Sequence, residues 1–300
     1  MTALTKPTAG SGTATTFSEH RPPFSNAGAE TLLSAERIVV KIGSAASLSN
    51  PNIWKGIAQD LLVALPPGRN VVLVASGAFA RGRAALPPIS HYPAAEARIR
   101  RALSSFGQIA LFETAATGLR TFGILSGQVL VRGSDRECES SAQRTVEIIE
   151  DLHFYNILPI INEDDVHRCQ LSSFRDNDEV ASWISKLWRP DLTVFLTDLP
   201  GLYTSDPKLN IDACLLPVFQ PSSDLGRIDT TGSVSGHGSG GMSSKMESIV
   251  HLSAIGIPAV VSCGLVERPL AAILNGEPCT FCPVTPAAAE SAASSEGDGP

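Results

Sequence analysis

Hydrophobic positions in the 300-residue chain fall into short dense runs separated by longer segments with helical spacing. RIVVKIG from Arg37 to Gly43 and NVVLVASG from Asn70 to Gly77 are nearly continuous apolar runs, the pattern of strands covered on both faces. Between them Pro51 introduces NIWKGIAQDLLVAL, where Ile53, Ile57, Leu61, Leu62 and Leu65 recur at helical spacing, so a β-α-β unit is expected. Further strands are predicted in GILSGQVLV, NILPIIN, LTVFLTD, PAVVSC and TFCPV. Helices are predicted near Glu96 to Leu119, Ala142 to Leu152, Glu179 to Leu187 and Ser243 to Leu252. The alternation implies an α/β fold, an open and mostly parallel sheet sandwiched by helices. No repeat at a solenoid period interrupts it.

Residues 1–36 and 285–300 lack this periodicity and are rich in Thr, Ser, Ala, Gly and Pro, the composition of flexible tails. A transit peptide is a rival reading of the first, weakened because Arg21 is its only arginine before Arg37. A net charge of -7 argues against a surface for nucleic acid, which needs clustered Lys and Arg, but leaves room for a nucleotide held by a few cations and backbone N–H groups. Neither an apolar run of about 18 residues nor a charged head before an apolar stretch is present, so no membrane segment or secretory signal is expected. The six cysteines are scattered, which fits a reducing compartment and a cytoplasmic location. Cys279 and Cys282 form one CxxC without a second pair or nearby His, so CTFCPV reads as a strand rather than a zinc site.

Ligands of open α/β sheets gather beyond the carboxyl ends of the strands. The first run carries Lys41 and then Gly43 and Ser44, either a phosphate-binding turn or a solvated strand end. The second ends in Ser76 and Gly77 before a helix, suited to an anion or to a purely structural turn. NILPIIN runs into Asn162, Glu163, Asp164 and Asp165, an acidic cluster that wants a cation, and FRDND supplies Asp176, Asn177 and Asp178, where capping accounts for one acid only. LTVFLTD ends in Thr197 and Asp198 before the turn formers of LPGLYTSDP, and VSGHGSGGMSSK is a glycine-rich loop leading into a helix with Lys245 in its first turns. That loop does not match GxxxxGK[ST], and no GxGxxG, GxSxG or HExxH is present, which disfavours P-loop, nicotinamide and hydrolase readings.

Taken in order, VVKIGS, VLVASGAFARGR, SGQVLV, LPIINEDD, FRDND, FLTDLPGLYTSDP and SGHGSGGMSSK resemble the glutamate 5-kinases of the amino acid kinase family, over roughly Arg37 to Val284. The resemblance implies the amino acid kinase fold, two lobes in one domain spanning 37–284, with a substrate lobe over about 37–188 and a nucleotide lobe over about 189–284. It implies transfer of the ATP γ-phosphoryl group to the side-chain carboxylate of L-glutamate, the first step of proline biosynthesis. Lys41 and Lys245 would flank the moving phosphoryl and Asp178 would hold both. Ser76, Gly77, Asn162, Asp165 and Asn177 would bind glutamate. Lys41, Gly43, Thr197, Asp198, Gly240, Gly241, Met242 and Lys245 would line the ATP site, with Mg²⁺ bound through nucleotide oxygens and water rather than by dedicated protein ligands. Proline as feedback inhibitor and a homodimer or tetramer belong to the same expectation. The C-terminal PUA domain of many bacterial members is not expected after residue 284. The sequence departs from the family at Ser173, often Lys, at Arg175, often Gly, and at Asp164, often Asn, changes that bear on substrate affinity. Alternatives within the fold are other carboxylate acceptors, and outside enzymology a regulatory paralogue, which would be marked by loss of a lysine or the organising acid.

Overall fold

The computed structural model describes residues 27–86, 97–167, 173–228 and 241–285. All seven predicted runs form strands: β1 (Arg37–Ile42), β2 (Asn70–Val74), β3 (Leu125–Val131), β4 (Ile157–Glu163), β5 (Leu192–Thr197), β6 (Ala259–Cys263) and β7 (Cys279–Cys282). They make one 7-stranded sheet in the order β3-β4-β2-β1-β5-β6-β7. Every neighbouring pair is parallel except β6 with β7. The helices are α1 (Ala27–Ser34), α2 (Ser44–Ser49), α3 (Ile53–Gln59), α4 (Ala78–Ala85), α5 (Ala97–Arg120), α6 (Glu139–Phe154), α7 (Asn177–Trp188), α8 (Pro221–Asp224), α9 (Met242–Ala254) and α10 (Pro269–Leu274).

Successive strand side chains point to opposite faces, so β1 divides its residues between two cores. Ile38, Val40 and Ile42 join Trp54 and Ile57 of α3 and Leu111 of α5 in one core. Val39 joins Val180 and Ile184 of α7 and Ile249 of α9 in the other. Lys41, two residues after Val39, is carried by the same alternation to the α7 and α9 face and is buried there. The solvated strand end allowed by the sequence is thereby excluded.

Two expectations are corrected. Residues 27–34, part of the stretch expected to be a flexible tail, form α1, whose Leu32 is fully buried. The remainder of that stretch before Ala27, and residues 286–300 of the second tail, lie outside the described residues. The helix after Pro51 is not uniform: α3 passes into a π-helical turn over Asp60–Ala64. Its wider turn breaks the 3.6-residue period, and Leu62, placed on the buried face by that period, is 55% exposed. Asp60 is fully buried within this turn, accepting from the backbone N–H groups of Leu270 and Ala271 at the start of α10 and pairing with Arg268 at 2.8 Å. Among the described residues, no helix is long and apolar enough to cross a membrane.

Candidate active site

The carboxyl ends of β1 and β5 meet the first turns of α7 and α9, and three charged side chains converge there. Lys41 Nζ lies 2.7 Å from Asp178 Oδ1, and Lys245 Nζ donates to Asp178 Oδ2 at 3.0 Å. All three residues are buried, and Lys245 Nζ also sits 5.7 Å from the centroid of the Phe195 ring on β5. Burial by itself would push the Asp178 carboxyl up, but Lys245 and Lys41 overcome it and hold the group at about 2. Burial lowers Lys41 below the ordinary lysine range, opposed by Asp178 and reinforced by the neighbouring charge of Lys245. One ionised carboxylate thus fixes two cations side by side from different parts of the chain, an arrangement whose free donors suit a phosphoryl group.

The helices bearing Asp178 and Lys245 are joined at their amino ends. Asp176 caps α7, its Oδ1 accepting from the backbone N–H groups of Asp178 at 2.9 Å and Glu179 at 3.1 Å. Its Oδ2 accepts from Ser244 Oγ in the first turn of α9. The favoured cap residue anticipated in FRDND is therefore Asp176, and its second oxygen sets the depth of Lys245. Ser244 was not singled out by the sequence, since one serine in MSSK carries no signal before its partner is known.

The residues expected to bind the acceptor gather around the ends of β2 and β4. Gly77 takes a left-handed conformation, φ 109°, at the amino end of α4, which a glycine adopts without strain. Asn177 Nδ2 reaches Ser76 Oγ at 3.4 Å, and Asn177 Oδ1 accepts from Glu163 N at the same distance. Asn162 at the end of β4 is fully buried and donates to Gln108 of α5 at 2.9 Å, while Asp165 is buried in the short turn Asp165–His167. Ser76, Gly77, Asn162, Asp165 and Asn177 thus line one end of the sheet. Gln108 was missed, because a glutamine inside a long helix reads as a solvated residue until the tertiary neighbour is seen.

On the other side, Gly43 N donates to the Leu196 carbonyl at 2.8 Å, and a Cβ at Gly43 would stand 2.9 Å from that oxygen. The close approach brings the β1 turn against Thr197. Thr197 Oγ1 donates to Asp198 at 3.1 Å, and Lys208, which the sequence did not single out, places its ammonium 2.7 Å from the other Asp198 oxygen. Burial opposes ionisation of Asp198, and Lys208 holds it below the usual carboxylate range. Gly241 stands at the N-cap of α9 and Met242 begins the helix, with Lys245 in its first turn. Gly240 lies outside the described residues.

Both charged departures carry their own compensation. Asp164 pairs with Arg132 at 3.0 Å and His167 at 2.8 Å, which outweigh its burial and lower its pKa. Arg175 pairs with Glu247 on α9 and lies 3.6 Å from Glu179 on α7. The extra charge at each position is balanced locally, so neither adds an uncompensated charge beside the acceptor residues. Ser173 contributes its carbonyl to Arg136 at 3.4 Å.

The chain's similarities to known proteins agree with this geometry. The model of the amino acid kinase family matches residues 36–262. A glutamate 5-kinase of Symbiobacterium thermophilum is 32% identical over 256 residues, covering 83% of this chain and 95% of the relative. A glutamate 5-kinase of Maridesulfovibrio salexigens is 33% identical over 255 residues, covering 83% and 66%. Among solved structures, a carbamate kinase from Giardia lamblia matches with TM-score 0.58 at 14% identity over 84% of this chain and 99% of its own. An isopentenyl phosphate kinase matches with TM-score 0.55 at 18% identity over 82% and 99%. At such identities these two likenesses speak for the fold alone. Two lysines organised by one aspartate at the sheet's carboxyl edge, this fold and the family match lead to one conclusion: the chain belongs to the amino acid kinase family and is an ATP-dependent kinase.

Proposed function

We propose that the chain phosphorylates the side-chain carboxylate of L-glutamate with ATP, giving L-glutamyl 5-phosphate and ADP, and so performs the first step of proline biosynthesis. The observation that carries this reading is Asp178, ionised and locked between Lys41 and Lys245. A carboxylate acceptor is already deprotonated and needs no general base, and an aspartate held at about 2 between two ammonium groups is a poor one. The relatives named glutamate 5-kinase supply the acceptor.

In this mechanism an oxygen of the glutamate side-chain carboxylate attacks the γ-phosphorus, and the bond to the bridging oxygen of ADP breaks in line with it. Lys41 and Lys245 compensate charge on the transferring group and on the departing phosphate, and Asp178 keeps both from moving during transfer. Asp165 pairs with the substrate ammonium, while Ser76, Gly77, Asn162 and Asn177 orient the amino acid. Gly43, Thr197, Asp198, Gly241 and Met242, with Gly240, line the nucleotide. Asp178 spends both oxygens on lysines, so Mg²⁺ would take its ligands from the triphosphate and water, where it screens the phosphate charge.

The sheet order supports a division into lobes, since β3, β4, β2 and β1 come from residues 37–188 and β5, β6 and β7 from 189–284. Lys41 then serves from the acceptor lobe and Lys245 from the nucleotide lobe. The same reading includes L-proline as a feedback inhibitor, a cytoplasmic location, and assembly as a homodimer or tetramer. Phe106 and Ile109 of α5, 54% and 69% exposed, are apolar surface that a second copy would cover.

ADP release from MgATP tests the acceptor, with L-glutamate compared against L-aspartate and N-acetylglutamate. Glutamate is expected to stimulate turnover, and Lys245→Ala to reduce kcat on the order of a thousandfold, since a unit charge pair at about 4 Å is worth about 4 kcal/mol at an effective dielectric near 20. Turnover with another acceptor and none with glutamate overturns the proposal.

A further inference from the structure

Three buried polar atoms at the acceptor residues have no partner, and two of them belong to side chains that the mechanism does not use. On α5, Ser104 is fully buried and its Oγ has no hydrogen-bond partner. Four residues on, Gln108 Oε1 accepts from Asn162 Nδ2 at 2.9 Å, while Gln108 Nε2 is buried and unpartnered. Asn162 Oδ1 is likewise buried without a partner. A buried donor or acceptor left unsatisfied costs about 1–3 kcal/mol. Three within one cluster call for a ligand that completes them.

Backbone packing fixes where this cluster sits. A Cβ at Gly107 would stand 1.9 Å from the Ala78 carbonyl oxygen, and a Cβ at Gly82 1.9 Å from that of Leu103. Only glycines allow so close a crossing, and it presses α5 onto the first turn of α4, directly after Ser76 and Gly77. Ser104 and Gln108, four apart on the helix, share the face that meets Asn162.

We infer that Gln108 is a specificity residue of the acceptor site, which reads the α-carboxylate of an amino acid while Asn162 reads its α-ammonium. The inference rests on the acceptor reading above. The Gln108–Asn162 bond spends one acceptor and one donor, so it fixes the orientation of both amides relative to each other. What remains without a partner is the whole NH2 group of Gln108, a donor, and the carbonyl oxygen of Asn162, an acceptor, a complementary pair for a zwitterion. The substrate ammonium donates to Asn162 Oδ1, its α-carboxylate accepts from Gln108 Nε2, and Ser104 Oγ lies one turn away on the same face.

Steady-state kinetics of Gln108→Glu and Gln108→Leu test the assignment, with thermal melting to verify folding. Gln108→Leu is expected to raise the KM for L-glutamate roughly 10-fold to 100-fold, the loss of a hydrogen bond to a charged group, without changing the KM for ATP. It is also expected to narrow the preference for L-glutamate over 4-aminobutyrate, which lacks the α-carboxylate. Gln108→Glu is nearly isosteric and carries the test should the leucine variant not fold. It retains an oxygen for Asn162 Nδ2 but turns an anion toward the substrate carboxylate, so its loss should be at least as large. A residue that merely tethered Asn162 would be rescued by glutamate, and a Gln108→Glu enzyme with unaltered KM overturns the assignment. Absence of glutamate-dependent turnover in the unaltered chain overturns instead the acceptor reading on which the assignment rests.

Discussion

At Asp178 two buried ammonium groups share one carboxylate, so the residue's value is set by what its loss leaves behind. Asp178→Asn keeps the shape and removes the charge, leaving Lys41 and Lys245 buried and repelling each other. Breaking a buried ion pair from one side costs about 3–5 kcal/mol, and a loss of that size is expected in urea unfolding of Asp178→Asn. Lys41, Asp178 and Lys245 could be named as candidates from the sequence, because each stands at a strand exit or helix start, and their shared role came from the resemblance to the glutamate 5-kinases. Gln108 and Ser244 could not be so named. An amide or a hydroxyl within a helix acquires meaning only from the atom opposite it, which for Ser244 is an Asp176 oxygen and for Gln108 the Asn162 amide.

Among the elements, α4 and α5 show how a packing constraint places a polar group. Their crossing has no room for a methyl group at Gly82 or Gly107, so Gly107→Ala must separate the helices. Overpacking of this kind costs about 1–3 kcal/mol, and a lower melting temperature together with a raised KM for the amino acid is expected, since Gln108 moves with the helix. Gly226→Ala, whose added Cβ meets nothing within 4 Å, serves as the control and should melt like the unaltered chain. The strands were readable because dense apolar runs of this length suit a sheet covered on both faces, and the long helices because their spacing was regular. The π-helical turn at Asp60–Ala64 was not readable, and the groups that its Asp60 caps belong to the distant start of α10.

For the whole molecule, the acid side of the stability curve reports on the same ion pairs. Asp178 lies at about 2 in the folded chain against 3.8 for the ordinary group, so it contributes stability above pH 3.8 that is lost as the pH falls toward 2. The shift corresponds to roughly 2 kcal/mol. Asp164 and Asp198, also lowered, act in the same direction, whereas Asp60, raised by burial, acts against them. Urea unfolding across this window should show stability falling between about pH 4 and pH 2, and a flat curve there would contradict an ion-paired Asp178. By itself the sequence determined the α/β class, the seven strands and the residues at their exits, because apolar periodicity and turn chemistry are local properties. Only the tertiary structure decided that α1 packs, that Ser244 meets the second oxygen of Asp176, and that Gln108 faces Asn162. Those outcomes depend on the order of strands and the closeness of helices, and no local pattern encodes either.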